Sequence, residues 1–287
     1  MNYIGDIYRP PSEAYSFILQ ATVGCANNTC TFCKMYKKDR FFIKPLEEIL
    51  NDVREAAASA PWRRVFIGDG DALVMRTDMI LSILKEINRT MPFVERISAY
   101  ATALDILRKT DEELRTLREA GLAMLYIGAE SGSNRILQKV DKRITAEETR
   151  EALVKAKKAG IRTSVTLISG LGGKELTKEH AISSARLLSG IPVDYIAYLT
   201  LYLEPGCPMY TDYIEGRFVP LSAEDALREI KLFLEEIDCD GAEFRANHAS
   251  NYVPLAGHLN RDKEKLLESI DRALKHDALR SESMRAL

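Results

Sequence analysis

Three of the five cysteines stand close together in the chain, at Cys25, Cys30 and Cys33, directly after an apolar, strand-like stretch. A tetrahedral zinc site or a fully protein-ligated iron–sulfur cluster takes four protein ligands, and this group offers three. Three thiolates on a four-iron, four-sulfur cluster leave one iron open for a substrate or a cofactor. The spacing predicts such an open site. The alternative is a zinc site with a fourth ligand from His248 or Cys239.

Short segments, most of them rich in glycine and polar residues, follow the second to fifth predicted strands. Parallel α/β sheets carry their chemistry at the carboxyl ends of the strands, so these segments are candidates for ligand binding. They are Gly68-Asp69-Gly70-Asp71, Ala101-Thr102, Gly128-Ala129-Glu130-Ser131-Gly132 and Ser169-Gly170-Leu171-Gly172-Gly173. Taken alone, the Gly68–Asp71 turn is more typical of an ordinary turn before a helix, and Glu130 is typical of a solvated acid at the start of one. Their positions at the ends of successive strands favour ligand binding. The last segment lacks the Gly-Lys-Ser/Thr ending of a phosphate loop and does not indicate a nucleoside triphosphate.

The densest polar group outside these turns lies near the C-terminus and predicts either a structural loop that closes the barrel or a lid that contacts substrate. Its members are Arg245, Asn247, His248, Asn251 and Tyr252.

Isolated residues of reactive type carry weaker predictions. Cys207 is a candidate hydrogen donor, but a lone cysteine, like Cys239, is more typical of a small buried hydrophobe. His180 is predicted on a helix surface, and the single Trp62 is predicted to pack before a strand. No catalytic residue is assigned from these patterns.

Composition limits the class of protein. The 287 residues are 46% hydrophobic and 29% charged, which suits one large α/β core with a small appendage. A net charge of -2 predicts no general attraction to nucleic acid or to an anionic membrane. The N-terminus lacks a signal-peptide pattern, and no apolar run approaches the roughly 20 residues of a spanning helix. Clustered thiols indicate a reducing compartment, so we expect a cytoplasmic protein.

Short apolar runs alternate with longer amphipathic ones, which predicts strand–helix repeats and a parallel sheet. The predicted strands are Ser16–Val23, Arg64–Ile67, Arg96–Tyr100, Leu122–Ile127, Arg162–Ile168 and Tyr195–Leu203. The predicted helices begin near Pro45 and then cover Met79–Asn88, Glu112–Ala120, Ala146–Ala159, Leu176–Ser189, Ala223–Ile237 and Lys263–Leu274. Expected caps are Asp78, Thr110 or Asp111, the capping box Thr145–Glu148, and Gly160 at the end of its helix.

Six repeats predict an α/β fold of a partial (β/α)6 TIM-like barrel, open on one side, with a short C-terminal extension. We expect residues 1–215 to form the core barrel and residues 216–287 to supply helices and a polar loop that close it. Prolines at Pro205, Pro208 and Pro220 mark the break between these two parts.

In these features the chain resembles the radical S-adenosylmethionine (SAM) superfamily over roughly its first two hundred residues. The resemblance rests on the cysteine loop with Phe32 before its last cysteine, the Gly68–Asp71 turn and the Gly128–Gly132 segment. The commonest family spacing has three residues between the first two cysteines, and here Ala26–Thr29 makes four. The chain is also similar to a group of small, poorly characterised radical SAM proteins. That similarity rests on Arg9-Pro10-Pro11-Ser12-Glu13-Ala14 and on the segment Phe244–Tyr252.

The resemblance implies one four-iron, four-sulfur cluster on the three cysteines and SAM as the ligand of the open iron. It implies that backbone carbonyls of Gly68, Asp69, Gly70 and Asp71 bind the SAM amino group, that Glu130 and Ser131 hold the ribose, and that Phe32 lines the adenine pocket. It places Lys142 or Arg143 at the SAM carboxylate and Gly170 beside adenine, whereas sequence context alone predicts surface charges at Lys142 and Arg143.

The implied function is an enzyme that cleaves SAM reductively to give a 5′-deoxyadenosyl radical, which removes hydrogen from a small or medium organic substrate. An electron donor such as flavodoxin or ferredoxin is implied, with no nucleic-acid or membrane partner. Cobalamin-dependent methylation, multi-cluster peptide maturation and tRNA methylthiolation are disfavoured. The alternative is a non-catalytic protein that handles a cluster or haem on the same barrel, as in trafficking relatives of the oxygen-independent coproporphyrinogen oxidases.

Overall fold

The computed structural model describes residues 2–276 and 278–285. In these residues the strands are β1 (Phe17–Gln20), β2 (Thr22–Val23), β3 (Phe42–Ile43), β4 (Arg64–Gly68), β5 (Arg96–Ala101), β6 (Leu122–Glu130), β7 (Arg162–Ser169), β8 (Tyr195–Thr200), β9 (Glu243–Ala246) and β10 (Leu255–His258). The helices are α1 (Leu46–Ser59), α2 (Thr77–Thr90), α3 (Ala103–Arg108), α4 (Asp111–Glu119), α5 (Asn134–Lys139), α6 (Ala146–Lys158), α7 (Gly173–Leu188), α8 (Pro208–Ile214), α9 (Ala223–Glu236) and α10 (Lys263–Lys275).

The main sheet has eight strands in the order β1-β4-β5-β6-β7-β8-β9-β10, and it is open rather than closed. The predicted class, an open and mostly parallel α/β barrel fold, is confirmed. The prediction of six repeats misses one parallel strand, because β9 pairs with β8 in parallel. β10 then pairs with β9 antiparallel and forms an edge of the sheet.

Contacts divide the chain into two compact units. The first unit contains the residues up to Asn28, Met35–Ile127 and Lys155–Thr163. The second unit contains Thr29–Lys34, Gly128–Val154 and the residues from Ser164 onward. The expected division at residue 215 was based on strand–helix repeats and prolines rather than on contacts, and it stays a prediction.

In the first unit, β1, β4 and β5 pair in parallel, with Phe17 opposite Val65 and Arg64 opposite Arg96. Phe66 stands at the centre of an aromatic cluster, with ring centroids 4.9 Å from Tyr100 and 5.6 Å from Tyr126. These edge-to-face rings bury large apolar area and fix the register of the strands that carry them.

The N-terminal opening is tied to the same unit through Glu13, which is fully buried. Its Oε1 accepts hydrogen bonds from Arg96 Nη2 at 2.7 Å and from Tyr126 OH at 2.6 Å. A buried carboxylate needs such partners to offset its desolvation. The motif that begins at Arg9 therefore anchors the chain start to β5 and β6.

In the second unit, β7, β8 and β9 pair in parallel, with Ser164 opposite Tyr195 and Tyr195 opposite Glu243. Tyr198 lies in an aromatic core with Phe233 of α9 and Phe244 of β9, at centroid distances of 4.8 and 6.2 Å. This core holds α9 against the strands.

The structure corrects several local predictions. The apolar stretch Ser16–Val23 is two strands, since β2 leaves the main sheet and pairs with β3. Asp78 is not an N-cap, because α2 begins at Thr77 and Asp78 pairs with Arg76 in its first turn. Of the two expected caps for α4, Thr110 is the N-cap and forms a capping box with Glu113, whereas Asp111 is the first residue of the helix. The predicted capping box at Thr145 is confirmed, and Gly160 has the left-handed φ of +77° expected after a helix.

No helix among residues 2–276 and 278–285 combines the length and the apolar composition needed to span a membrane.

Candidate functional site

The Gly68–Asp71 turn follows β4 in the first unit and is held by residues that the sequence did not single out. The Asp69 amide donates to Thr22 Oγ1 at 3.0 Å, and Tyr36 OH donates to Asp69 Oδ1 at 2.5 Å. Burial raises the pKa of Asp69 to about 6, while the hydrogen bond from Tyr36 opposes that rise. The side chain of Asp69 is therefore engaged by the protein. The binding role predicted for the backbone carbonyls of this turn stays a prediction.

Gly70 brings this turn against the start of the cysteine loop. A Cβ at this position would lie 2.6 Å from Tyr36 Cε2 and 2.9 Å from the Cβ of Cys25. Only glycine allows so close an approach. Tyr36 is thus a site residue that sequence reasoning missed; its one signal is an aromatic side chain three residues after Cys33.

All five cysteines lie in the described part of the chain, and none forms a disulfide. Cys25 and Cys33 are half-buried, whereas Cys30 is buried. Three thiols of one loop, two of them partly accessible, fit the donor set of a cluster with one open iron. Within the described residues, however, no three His, Cys, Asp or Glu side chains are gathered closely enough to hold a metal ion. The cluster ligands therefore stay a prediction.

The later part of the cysteine loop belongs to the second unit, where backbone hydrogen bonds hold it. Thr31 donates its amide to Val140 O at 3.0 Å and accepts from the Met209 amide at 3.0 Å. Phe32 packs against an apolar cluster that includes Cys207. The Cys207 thiol is buried and lies 3.3 Å from the Glu204 carbonyl that accepts its hydrogen bond, as expected for a structural cysteine.

Glu130 ends β6 with a left-handed φ of +65°, which residues other than glycine rarely adopt. Lys142 Nζ donates to its Oε1 at 2.7 Å. A Cβ on Gly128 would overlap that same carboxylate oxygen, so a larger residue there would force the Glu130 side chain to move. The surface prediction for Lys142 is wrong, since its side chain is 13% exposed. Arg143 is exposed and pairs with Asp141.

Ser131 lies behind Glu130 in a buried polar network. Its Oγ lies 2.8 Å from His180 Nδ1 and accepts from the Ser133 amide at 3.0 Å. Because Ser131 is fully buried, the structure gives its hydroxyl a role in shaping the loop. The prediction of a surface position for His180 is also wrong, since His180 is fully buried and burial lowers its pKa.

The same network reaches the segment after β7. Glu229 accepts a hydrogen bond from the Gly170 amide at 2.7 Å and another from Thr177 Oγ1 at 2.7 Å. The Oε1 atom of Glu229 also lies 3.9 Å from His180 Nε2. The loop after β6 and the turn at Gly170 are therefore tied to one buried set of side chains in the second unit.

Gly132 lets the loop after β6 rest on α7. Its amide donates to Ser184 Oγ at 2.9 Å, and a Cβ there would overlap the Ser183 carbonyl oxygen. This glycine therefore sets the position of the loop that carries Glu130.

The C-terminal polar segment is divided between buried and accessible side chains. Asn251 donates to Tyr198 O at 2.9 Å and accepts from Thr200 Oγ1 at 2.8 Å, so its amide is used in the core. Tyr252 is buried and accepts a hydrogen bond from Arg285 Nη1 at 2.7 Å. These contacts support the structural-loop alternative for Asn251 and Tyr252.

The remaining members of that segment keep accessible surface. Arg245 pairs with Glu243 and lies over the ring of Tyr195 at 5.1 Å, while its side chain is 39% exposed. Asn247 is exposed and His248 is half-buried. Substrate contact by all five residues stays a prediction.

The sequence profile of the radical SAM superfamily matches residues 19–188, which is more than half of the chain. The chain belongs to the radical SAM superfamily. Members of this superfamily bind a four-iron, four-sulfur cluster and SAM.

Comparison with individual proteins gives distant similarities. The chain is 23% identical over 223 residues to the haem chaperone HemW of Bacillus subtilis, which covers 74% of this chain and 57% of that protein. The chain thus spans little more than half the length of that curated relative.

Two solved structures illustrate the shared fold. Coproporphyrinogen III oxidase (HemN) from Escherichia coli superposes with a TM-score of 0.59 at 16% identity, over 77% of this chain and 52% of that one. Methylornithine synthase (PylB) gives a TM-score of 0.54 at 16% identity, over 92% of this chain and 82% of that one. At such identities the superpositions show the fold alone.

Proposed function

We propose that this protein is a radical SAM enzyme that acts on a small or medium organic substrate. The observation that supports this most is the three-cysteine loop after the first strand of a barrel fold, inside the superfamily match. The close approach of Gly70 to Cys25 adds support, because it brings the turn predicted to bind SAM to the predicted cluster loop.

Under this proposal Cys25, Cys30 and Cys33 hold a four-iron, four-sulfur cluster. When bound, the cluster would supply the electron for reductive cleavage of SAM to methionine and a 5′-deoxyadenosyl radical, which would become 5′-deoxyadenosine by removing a hydrogen atom from the substrate. The protein contributes binding and orientation, which is the usual division of labour between a protein and its cofactor.

The backbone of the Gly68–Asp71 turn binds the amino group of SAM in this proposal. Glu130 accepts hydrogen bonds from the ribose hydroxyls, and Lys142 fixes the orientation of its carboxylate. Phe32 and Gly170 flank adenine, while Ser131 acts through its buried contacts. Of the two candidates for the SAM carboxylate, Lys142 and Arg143, we assign Arg143, because its side chain is exposed.

An electron donor such as flavodoxin or ferredoxin completes the proposed reaction. The thiols of Cys25, Cys30 and Cys33 must stay reduced to hold a cluster. We therefore propose a cytoplasmic location.

The first test is to reconstitute the cluster without oxygen, add SAM and dithionite, and quantify 5′-deoxyadenosine. The variant Cys25→Ala/Cys30→Ala/Cys33→Ala should give none, whereas Cys239→Ala, which changes a buried cysteine outside the loop, should stay active. Product formation that survives the triple substitution would refute the proposed cluster ligands.

The second candidate is a haem-handling protein on the same barrel, and the similarity to HemW favours it. A carrier binds haem and consumes no SAM. Haem titration followed by absorbance, run beside the 5′-deoxyadenosine assay, separates the two. Stoichiometric haem binding without SAM cleavage supports the carrier, whereas SAM cleavage without haem binding supports the enzyme.

A further inference from the structure

A pocket of about 560 Å³ opens in the first unit, beside the segment that joins β4 to α2. The α3 helix and the residues that lead into α4 form its other side. Its lining combines an apolar wall with three cations, namely Leu73, Met75, Leu81, Arg76, Arg108 and Lys109. None of these residues has a role in the proposed SAM chemistry.

Lys109 is the unusual member of this lining because it is only 7% exposed. Its ammonium donates to Met75 O at 2.9 Å and lies 3.4 Å from Thr77 Oγ1. An ammonium has three N–H donors, so these two contacts leave one. Within the described residues, no carboxylate lies within 4 Å of Nζ. Burial of a charge without a counter-charge is costly, and a nearby anion would offset that cost.

The carboxylates of the pocket are already used by other groups. Glu113 accepts from Thr77 Oγ1 at 2.6 Å and from the Thr110 amide at 2.7 Å. Asp78 pairs with Arg76.

Asp105 receives a hydrogen bond from Thr102 Oγ1 and lies 3.6 Å from Arg108. Burial lowers the pKa of Lys109, and the more distant carboxylates of Glu113, Asp105 and Asp71 offset this only in part. The pocket thus lacks a negative charge at Lys109.

We propose that this pocket binds a small organic anion whose carboxylate or phosphate group pairs with Lys109 and whose carbon skeleton lies against Leu73, Met75 and Leu81. The N-terminus of α2, at Thr77, also lines the pocket and adds its partial positive charge. Arg108 at the rim supplies a second cation. The site does not depend on SAM cleavage and extends the protein's function beyond the proposed reaction.

Isothermal titration calorimetry of the 287-residue protein with three probes tests this proposal. Phenyl phosphate and benzoate share a ring and differ in the anionic group, and benzyl alcohol is the neutral control. Both anions should bind at least about tenfold more tightly than benzyl alcohol, since a charge-assisted hydrogen bond is worth about this much. Binding of one anion alone supports the proposal and identifies whether the site takes phosphate or carboxylate.

Lys109→Met should weaken anion binding by about ten- to a hundredfold. Lys85→Met, on the exposed side of α2 and outside the pocket lining, should bind like the parent protein. Arg108→Gln, at an exposed side chain, should weaken binding by a smaller factor. The proposal is overturned if neither anion binds, or if Lys109→Met binds as the parent does.

A second measurement on the unsubstituted protein covers the case in which Lys109→Met does not fold. Trace acetylation with acetic anhydride, followed by peptide mass spectrometry, should show that the bound anion slows modification of Lys109 but leaves Lys85 unchanged. Equal rates at Lys109 with and without the anion would overturn the proposal.

Discussion

Lys142 Nζ donates a hydrogen bond to Glu130 Oε1 at 2.7 Å, and the two side chains are 13% and 10% exposed. Glu130 has a left-handed backbone, and strained residues of this kind are concentrated at functional sites. The pair gives the carboxylate at the end of β6 one fixed orientation. Twelve residues separate the partners in the chain, so hydrophobic periodicity gives no sign of this contact.

Lys142→Met should destabilise the protein and weaken binding of S-adenosylhomocysteine. Loss of one partner from a buried ion pair costs about 3 kcal/mol of unfolding free energy. Lys139→Met, at an exposed lysine of α5, is the matched control and should cost under about 1 kcal/mol. Urea denaturation and isothermal titration measure the two effects. Equal stability of the two variants would contradict the role assigned to Lys142.

Gly132→Ala should displace the loop after β6 from α7. The new Cβ would overlap the Ser183 carbonyl oxygen, and we expect a cost of about 3 kcal/mol, the upper end of the usual range for overpacked sites. Gly241→Ala is the control, because Gly241 has a positive φ but no atom within 4 Å of the added Cβ. It should cost about 1 kcal/mol. Melting temperatures that fall by the same amount in both variants would argue against the close contact.

Asp69 should make stability depend on pH below neutrality. The pKa of Asp69 is raised to about 6 in the folded protein, so the folded state binds more protons than the unfolded state between about pH 4 and 6. Stability contributed by this group is therefore present at low pH and falls as pH rises through that window, by roughly 2 to 3 kcal/mol.

Asp69→Asn should remove this pH dependence, and Tyr36→Phe should move it to higher pH because the Tyr36 hydrogen bond lowers the pKa of Asp69. Urea denaturation of each variant between pH 4 and 7 measures the slope. An unchanged slope in Asp69→Asn would show that another group titrates there.

His180 should have the opposite effect. Burial lowers its pKa below the usual value near 6.5, so the folded state stays neutral where the unfolded state takes up a proton. Stability from this group is present above about pH 6.5 and is lost as pH falls below it. NMR titration of the four histidines should show that the imidazoles of the buried His180 and the half-buried His248 titrate below the usual pKa. If every histidine titrates near its usual pKa, the buried contact with Ser131 is wrong.

Much of the fold is predictable from sequence because its helices are amphipathic and its strands are apolar. The long helices α6, α9 and α10 begin at the predicted residues and end within one residue of the predicted ends. The short helices α3, α5 and α8 were missed, since six or seven residues carry too little periodicity. The strands β9 and β10, four residues each, were missed for the same reason.

Some features of the candidate site could likewise be predicted from the sequence, and others could not. Glycines such as Gly70 and Gly132 were predictable as close-approach positions, because glycines after strands favour that role. The atoms that leave no room for a Cβ at those two positions belong to Tyr36 and to the Ser183 carbonyl. Both lie in distant parts of the chain. The sequence predicted a surface position for His180. Its burial could not be predicted, because the residues next to it in the fold, Ser131 and Glu229, are far from it in sequence.

The most direct test of the account is electron paramagnetic resonance of the reconstituted, dithionite-reduced protein with and without SAM, together with iron and sulfide analysis. We expect about four iron and four sulfide per chain, and a cluster signal whose g values change when SAM binds. Cys25→Ala, Cys30→Ala and Cys33→Ala should each lose the cluster. A fully loaded cluster whose signal is unaffected by saturating SAM, or a cluster retained after any one of these substitutions, would contradict the proposed open site.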